Sequence, residues 1–357
     1  MSPTLRTRIE QLIDRLADGS HDDAARDALL AELAQQQAST VEPYQRFLAS
    51  ERRRPHGLLP ALPTDVFRFA RVAAHASAAD VAVFRTSGTT AEHRGSHAFA
   101  ELALYDRAAR AAARHALFPD RPRLRLLVLA PDVHEAPDSS LSYMLAQFFR
   151  WFGAAGSSYV WRNAALRHDA LVQALREASA HDEPVALLGT SFAFVHAEDA
   201  LGSERFQLPH GSRIMQTGGF KGRSRSIEPA QMLELLQARY GIAAPFIVQE
   251  YGMTELSSQL YETTLREAAL GLPVTARRLW VPGWVRAQPI DPQTLLPVAR
   301  GEVGLLRIDD LANVGSVCAI QTSDLARTLE DGVVVLGRAQ SALPRGCSIA
   351  ADEWLAH

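Results

Sequence analysis

The first 54 residues carry apolar side chains at the three- and four-residue spacing of amphipathic helices. This spacing runs through Ile9, Leu12 and Leu16 and continues as far as Leu48. Such a period predicts helices that each bury one face and expose the other. We therefore expect a helical N-terminal segment over residues 1–58.

From residue 59 to residue 278, short apolar runs alternate with longer amphipathic stretches. The apolar runs predict strands at Val81–Phe84, Leu124–Ala130, Val185–Thr190, Arg213–Thr217 and Phe246–Gln249. The stretches between them predict helices at His97–Leu117, Ser140–Gly153, Ala164–Ala180, Ser191–Ala200 and Glu228–Tyr240. This alternation predicts an α/β core in which a mostly parallel sheet is covered by helices. Ligands of such sheets bind beyond the carboxyl ends of the strands.

Residues 279–338 have a different character, because proline and glycine turns separate short alternating runs. This pattern is typical of antiparallel strands, and Asp331-Gly332 is a hairpin signal. We therefore expect a small β-rich subdomain that completes the core. Residues 339–357 are too few for another domain and are expected to form a short C-terminal tail.

The composition narrows the class of protein. The chain has 357 residues, a formal net charge of −3, 47% hydrophobic residues and 22% charged residues. These values are ordinary for a globular enzyme and argue against a nucleic-acid binder, which would carry a basic face. No apolar run reaches the about 20 residues that span a bilayer, and the N-terminus lacks the apolar core of a signal peptide. We expect a cytoplasmic protein without a membrane span.

A loop of small residues, TSGTT at 86–90, follows the first predicted strand of the core. Backbone N–H groups in a tight glycine-containing turn can bind an anion, and hydroxyl groups add further donors. The same residues would also suit an ordinary strand-to-helix turn with capping hydroxyls. The loop contains no lysine, so a phosphate site here would need another cation, for which Arg94 is one candidate.

Two further polar segments could carry chemistry. QEYGMTE at 249–255 offers an aromatic ring, a hydroxyl and a carboxylate after a buried strand. Mg²⁺ is usually held by one or two carboxylates together with substrate phosphates, so Glu255 is a candidate ligand. TSDL at 322–325 offers a carboxylate that could bind ribose hydroxyls. Taken singly, each segment would also suit a capping glutamate or a turn aspartate.

Together the three segments resemble the ATP-site motifs of the adenylate-forming superfamily, in the same order. TGGFKGRSR (217–225), EYGMTELSSQLYE (250–262) and RGCS (345–348) are similar to segments of LuxE-type acyl-protein synthetases. The resemblance covers the chain from about residue 60 to its C-terminus. It implies a core of layered, mostly parallel sheets and helices with a small β-subdomain. It also implies that the mobile C-terminal domain of the superfamily, which brings a catalytic lysine, is truncated here.

The resemblance assigns roles to individual residues. Thr86, Ser87, Gly88, Thr89 and Thr90 would wrap the ATP phosphates. The remaining nucleotide contacts would come from Gly218 and Gly219 beside the adenine, Tyr251 stacked on it, Thr254 at the α-phosphate, Glu255 at Mg²⁺, Asp324 at the ribose, and Arg338 nearby.

Two further residues of the segments similar to LuxE-type proteins are candidates for the catalytic steps. Cys347 resembles the cysteine that LuxE-type proteins acylate as a thioester, although a small structural cysteine would also fit. Lys221 is the single lysine of the chain. Arginine and lysine differ in shape and reach, so we hypothesise that Lys221, helped by Arg223, replaces the missing lysine. The alternative is an ordinary surface lysine. The second cysteine, Cys318, is expected to be a buried hydrophobic residue.

The predicted function is an acid–thiol ligase that uses ATP and Mg²⁺. A carboxylic acid, either a fatty acid or another acyl acid, would be converted to an acyl-AMP. Its acyl group would then pass to a thiol. That thiol would belong to the chain itself, to an acceptor protein such as a reductase or carrier protein, or to CoA. A stand-alone acyl- or aryl-CoA or carrier-protein ligase is an alternative. A partner protein that retains the fold without catalysis is a third hypothesis.

Overall fold

The computed structural model describes residues 4–49, 59–86, 94–218 and 227–339. The helices in these residues are α1 (Leu5–Arg15), α2 (Asp23–Thr40), α3 (Glu42–Ala49), α4 (Val66–Phe69), α5 (Ala103–Ala116), α6 (Ser140–Phe152), α7 (His168–Ala180), α8 (Ser191–Leu201), α9 (Pro229–Tyr240) and α10 (Thr264–Ala269). The first half of the strands comprises β1 (Leu62–Pro63), β2 (Ala82–Arg85), β3 (Ser96–Phe99), β4 (Arg125–Leu129), β5 (Ser158–Tyr159), β6 (Trp161–Arg162), β7 (Ala165–Leu166) and β8 (Val185–Thr190). The second half comprises β9 (Arg213–Thr217), β10 (Ile247–Tyr251), β11 (Leu260–Glu262), β12 (Leu279–Trp280), β13 (Val285–Ile290), β14 (Gly304–Asp310), β15 (Ala319–Leu329) and β16 (Gly332–Arg338).

The chain forms two compact units that are discontinuous in sequence. The first contains Met1–Ala111, Met253–Gln259 and Arg278–His357, and the second contains Ala112–Gly252 and Leu260–Arg277. The division into segments at residues 58, 278 and 338 stays a prediction.

The second unit contains the parallel sheet that the sequence predicts. Its strands lie in the order β11-β10-β9-β8-β4-β5, and all neighbours from β10 to β5 are parallel. Only β11 runs antiparallel, against β10. Leu187 of β8 lies beside Leu127 of β4 and Ile214 of β9, and all three are fully buried. Strands buried on both faces are typical of parallel sheets in α/β proteins.

Two helices of the second unit, α6 and α8, begin at hydroxyl caps. Ser139 accepts a hydrogen bond from the backbone N–H of Ser142 at the start of α6, 3.1 Å away. Thr190 accepts one from Ala193 at the start of α8, 3.0 Å away. Because these hydroxyls satisfy backbone donors that the helix leaves free, they set where each helix begins.

The first unit contains the antiparallel strands, as predicted for residues 279–338. Their order is β13-β14-β15-β16-β12, with β1 parallel to β15. The predicted N-terminal helices are present as α1, α2 and α3, and α2 is tied to the β-rich part by Gln37. The amide of Gln37 donates to Asn313 O over 2.7 Å and accepts from Cys318 N over 2.8 Å.

The predicted helix at His97–Leu117 is wrong for its first six residues. The segment Ser96–Phe99 is β3, which forms an antiparallel hairpin with β2, and α5 begins only at Ala103. The rings of Phe84 and Phe99 lie 5.3 Å apart across this hairpin. Pairing with a partner strand outweighs the helix preference of the alanines, because strand preference reflects packing against neighbours. In the described residues, no helix is both long and apolar enough to span a membrane.

Candidate functional site

Three neighbouring strands of the second unit end at one edge of the sheet. Thr190 closes β8, Thr217 closes β9, and Glu250 lies one residue before the end of β10. The register pairs Thr190 with Thr217 and Thr217 with Glu250. These three side chains therefore lie at the carboxyl edge of the parallel sheet, where ligands of α/β folds bind.

Glu250 is the residue of this edge that sequence reasoning missed. It is only 4% exposed, and its carboxylate accepts a hydrogen bond from the Thr217 hydroxyl. Burial raises the pKa of Glu250 to about 7, and the Thr217 hydrogen bond opposes this rise only in part. An acidic residue two positions after the apolar run FIV, within the same strand, was the signal in the sequence, since carboxylates are rarely buried without a reason.

We expect the effect of Glu250→Gln on stability to depend on pH. The pKa of Glu250 is raised in the folded protein, from 4.5 to about 7. Its contribution to stability is therefore fully present below pH 4.5 and is lost as the pH rises through about 7. The glutamine variant lacks this loss, so its stability relative to wild type should increase by about 3 kcal/mol between pH 4.5 and pH 8. Urea unfolding of both proteins across this range measures the difference.

Glu234 on the exposed side of α9 offers a matched control. Glu234→Gln makes the same change of charge at an exposed position and removes no buried carboxyl, so it shows what the change of charge alone contributes. A pH-dependent difference that is no larger for Glu250→Gln than for Glu234→Gln would contradict the raised pKa of Glu250.

Gly218 directly follows β9 and turns the chain at the same edge. Its φ of +74° lies in the left-handed region that favours glycine. The Ser191 hydroxyl donates to its carbonyl over 2.9 Å, which anchors the chain just after β9. Gly219, Lys221 and Arg223 lie outside the described residues, so their predicted roles stay predictions.

In the first unit, Thr86 and Gly95 are hydrogen-bonded to each other on either side of the segment that contains TSGTT. We call this pair the neck of the TSGTT loop. Thr86 N donates to Gly95 O, and Gly95 N donates to the Thr86 hydroxyl, both over 2.9 Å. The loop thus connects the two strands of the β2–β3 hairpin, whereas the sequence suggested that a helix follows it. Ser87, Gly88, Thr89 and Thr90 lie outside the described residues.

Arg94, a candidate for the missing cation, lies at the same neck. Its Nε donates to Thr86 O over 2.5 Å and its terminal nitrogen donates to Arg85 O over 3.3 Å. The guanidinium therefore binds backbone carbonyls at the base of the loop. These contacts give Arg94 a structural role, and a role at phosphate remains a prediction.

Thr254 and Glu255 also belong to the first unit, and buried side chains hold both of their backbone carbonyls. His97 Nδ1 lies 2.8 Å from Thr254 O. Asn313 Nδ2 donates to Glu255 O over 2.8 Å. Glu255 itself is 8% exposed. The segment is thus held from β3 and from the turn after β14.

A buried acidic residue secures the segment that follows Glu255. Asp310 accepts from Ser257 N over 3.0 Å and from the Ser258 hydroxyl over 2.7 Å. The Ser258 hydroxyl in turn accepts from Trp284 Nε1 over 3.0 Å. Burial raises the pKa of Asp310, and its hydrogen bonds oppose this rise. This network restrains the backbone on the C-terminal side of the candidate metal ligand.

The structure brings Asp324 and Arg338 together. They pair across β15 and β16, with Arg338 Nε 3.6 Å from Asp324 Oδ1. The register shifts just beyond this pair, and Gly337 has a φ of +113° at the irregularity. Such bulges re-aim side chains and are common beside active sites. The predicted ribose contact of Asp324 remains a prediction.

The remaining candidates occupy distinct positions. Tyr251 is half-buried at the end of β10. In α6, Met144 and Phe148 are buried in the core, while Tyr143 and Phe149 keep partial exposure. Cys318 is buried, and burial raises the pKa of its thiol, as expected of a hydrophobic cysteine. Cys347 lies outside the described residues.

The described residues contain no cluster of three or more His, Cys, Asp or Glu side chains suited to a metal ion. A single carboxylate fits the way Mg²⁺ is bound with nucleotides, because substrate phosphates and water complete its oxygen ligands. Glu255, which follows Thr254 in the sequence, supplies such an oxygen donor. Its donor type therefore fits Mg²⁺.

A protein-family model described as acyl-protein synthetase, LuxE, matches residues 29–356. Two curated relatives are long-chain-fatty-acid–luciferin-component ligases. The Vibrio harveyi protein is 23% identical over an alignment of 181 positions that covers 47% of this chain and 45% of the relative. The Aliivibrio fischeri protein is 25% identical over an alignment of 179 positions that covers 46% of this chain and 44% of the relative. The matches thus span a little under half the length of each relative.

Solved structures share the fold. A 2-hydroxyisobutyryl-CoA ligase in the postadenylation state, in complex with 2-HIB-AMP, has a TM-score of 0.65 at 14% identity, covering 91% of this chain and 69% of the ligase. A luciferase-like enzyme of the mealworm Zophobas morio has a TM-score of 0.50 at 14% identity, covering 74% of this chain and 59% of that enzyme. At these identities the likeness concerns the fold, and it confirms the predicted architecture.

Proposed function

The chain belongs to the LuxE family of acyl-protein synthetases, and we propose that it activates a carboxylic acid with ATP and transfers the acyl group to a thiol. The observation that carries this proposal is the family match over residues 29–356. The curated relatives are named as ligases of long-chain fatty acids, which makes a fatty acid the first substrate to test.

In the proposed first step, a carboxylate oxygen of the acid attacks the α-phosphorus of ATP. The new P–O bond forms as the bond to the β-phosphate oxygen breaks, which releases pyrophosphate and leaves acyl-AMP. Thr254 would orient the α-phosphate through its hydroxyl, and Asp324 would hold the ribose. The hydrogen bonds to the backbone of Thr254 and Glu255 favour this geometry, because preorganised groups need not rearrange as charge develops.

Glu255 is the residue that we propose to hold Mg²⁺. When bound, the ion would neutralise charge on the phosphates during the displacement. The proposed role of the protein in this step is to position the carboxylate of Glu255. We further propose that Lys221, from the loop after Gly218, adds the cationic charge that the TSGTT loop lacks.

In the proposed second step, the thiolate of Cys347 attacks the acyl carbonyl carbon, and AMP leaves with the electrons of the acyl–phosphate bond. The product is a thioester on the chain, from which the acyl group passes to an acceptor. A thiolate is the competent nucleophile for this reaction. The acceptor would be a reductase or carrier protein, and CoA is the small-molecule alternative. The cytoplasm is the compartment that the reduced thiol suits.

We expect the purified chain to catalyse ATP–pyrophosphate exchange that depends on an added acid. A screen of saturated fatty acids of increasing length, short acids and aryl acids measures this first step. Incubation with labelled acid and ATP then measures the second step. Label should remain on the wild-type chain after denaturation and should be released by hydroxylamine, because thioesters react with it.

Cys347→Ser and Cys318→Ser form a matched pair for this assay. The first variant should keep the exchange reaction and lose the covalent label, whereas the second should keep both when folded. Label absent from the wild-type chain, with product formed only when CoA or a carrier protein is added, would favour direct transfer. No exchange with any acid would contradict the proposed function.

A further inference from the structure

Two successive peptide carbonyls in the segment Tyr251–Glu255 are each held by a buried side chain from another part of the first unit. His97 contacts Thr254 O and Asn313 contacts Glu255 O, each at 2.8 Å. The two partners lie 157 and 58 residues away in sequence. Both peptides belong to the residues proposed to contact the α-phosphate and Mg²⁺. No role in the reaction follows from the motifs for either His97 or Asn313.

His97 is built to donate one hydrogen bond from a fixed ring. It is 1% exposed and packs against the rings of Phe67 and Phe99, with centroid distances of 5.7 and 4.1 Å. Burial lowers the pKa of His97 to about 4, although the Thr254 hydrogen bond opposes this fall. The ring is therefore neutral near pH 7. A carbonyl oxygen can only accept, so the proton of the neutral imidazole lies on Nδ1.

His97 also connects Thr254 to the neck of the TSGTT loop. It pairs with Phe84 across the β2–β3 hairpin, and Thr86 lies two residues beyond Phe84 on the same hairpin. Movement of the hairpin would therefore be transmitted to the Thr254 peptide. This connection relates the loop proposed to bind the phosphates to the residue proposed to bind the α-phosphate.

The carboxamide of Asn313 is fixed on both of its sides. Nδ2 donates to Val317 O over 3.2 Å as well as to Glu255 O. Oδ1 accepts from the Ser257 hydroxyl over 2.5 Å. These three hydrogen bonds fix the plane of the carboxamide, which orients Nδ2 toward the Glu255 carbonyl.

We propose that His97 and Asn313 are positioning residues for adenylation, because together they set the orientation of the Thr254 and Glu255 peptides through these carbonyls. This inference rests on the proposed function. Neither residue touches the substrate in this scheme. Loss of the hydrogen bond would let the Thr254 peptide rotate, and misplacement of a catalytic group by about 1 Å can reduce a rate by about 100-fold.

Three substitutions of His97 separate positioning from simple loss of packing. In His97→Asn, the amide nitrogen occupies the same bond distance from Cα as Nδ1, so it can still donate to Thr254 O. In His97→Gln the nitrogen is one bond farther away, at the place of Nε2. His97→Leu replaces the ring with an apolar side chain and removes the donor.

ATP–pyrophosphate exchange at saturating acid should resolve these variants. We expect kcat to fall about 10- to 100-fold in His97→Gln and His97→Leu. This is the range found when a residue is lost that holds a ligand-binding residue in place through a hydrogen bond. His97→Asn should stay within about threefold of wild type, because the donor to Thr254 O is restored. The KM for the acid should be unchanged in all three, since His97 is not proposed to contact it.

Tyr44→Phe is the matched control. The Tyr44 hydroxyl donates to Pro60 O over 2.8 Å in the same unit and is likewise part of a buried side chain. Its loss should lower the melting temperature without lowering kcat below that temperature.

Asn313→Asp tests the second positioning residue. This substitution keeps the acceptor for Ser257 and removes the donor to Glu255 O, so it should also lower kcat.

The outcomes distinguish this inference from the proposed function. Exchange missing from the wild-type protein would overturn the function itself. An active wild type with equal kcat values in His97→Asn and His97→Gln would overturn the positioning role, as would full activity in His97→Leu. If His97→Leu does not fold, the comparison of the asparagine and glutamine variants still decides.

Discussion

Glu255→Gln is expected to reduce acid-dependent ATP–pyrophosphate exchange by about 100-fold or more. The substitution keeps the size of the side chain and removes the charge proposed to bind Mg²⁺. A bound metal ion stabilises a phosphoryl-transfer transition state by several kcal/mol, and about 1.4 kcal/mol corresponds to a tenfold change in rate. Because Glu255 is 8% exposed and its backbone is held by Asn313, we expect little compensation by neighbouring groups.

Calorimetry provides a readout that does not depend on turnover. Wild type should bind ATP more tightly when Mg²⁺ is present, and Glu255→Gln should lose most of this difference. Glu330→Gln is the matched control in the same unit, since Glu330 is exposed in the turn between β15 and β16. Exchange by Glu255→Gln within about threefold of wild type would exclude this carboxylate as the metal ligand.

The parallel sheet could be predicted from the sequence because its strands are buried on both sides. The bounds of β8 and β9 agree with the prediction, since Val185–Thr190 and Arg213–Thr217 are segments of strand length that contain apolar residues and are bounded by turn residues. The hairpin strand β3 could not be predicted in this way. Its four residues form a strand only because β2 lies beside them, and that pairing is not visible in the local pattern.

Part of the candidate site could likewise be predicted from local sequence, and part of it could not. Motif segments such as Tyr251–Glu255 combine a turn, a hydroxyl and a carboxylate within a few residues, so that their chemistry can be inferred from the sequence. The residues that support them cannot be inferred, because they are distant along the chain. His97 lies 157 residues from Thr254 and would pass for an ordinary core histidine. Glu250 gave a local signal, but its contact with Thr217 depends on strand register.

Arg213→Met is expected to lower the free energy of unfolding by about 3 kcal/mol. The buried guanidinium of Arg213 donates to both carboxylate oxygens of Asp120, at 2.8 and 3.0 Å, and to Leu117 O at 2.7 Å. Removing one partner of a buried ion pair typically costs about 3–5 kcal/mol, because the other charge is left without compensation. Asp120 retains 22% exposure of its side chain, so water can partly replace the arginine and we expect the lower value.

Urea unfolding measures this loss, and Arg176→Met is its matched control. Arg176 forms an ion pair with Glu204 in the same unit, but 69% of its side chain is exposed. Exposed pairs contribute less than about 1 kcal/mol, so the control should remain close to wild type. Arg213→Lys should fall between the two, since an ammonium cannot make the two-pronged contact with Asp120. Equal effects of Arg213→Met and Arg176→Met would contradict a structural role for the buried pair.

The position of Arg213 in β9 predicts how Arg213→Met affects exchange activity. Arg213 opens the strand, whereas Thr217 and Gly218 lie at its opposite end, at the carboxyl edge of the sheet. The pairing of β9 with β8 and β10 along its length should keep that edge in place as long as the protein is folded. We therefore expect Arg213→Met to lose exchange activity only as it unfolds, with kcat near wild type well below its melting temperature. A loss of kcat in the folded variant would instead show that the start of β9 controls the geometry of its end.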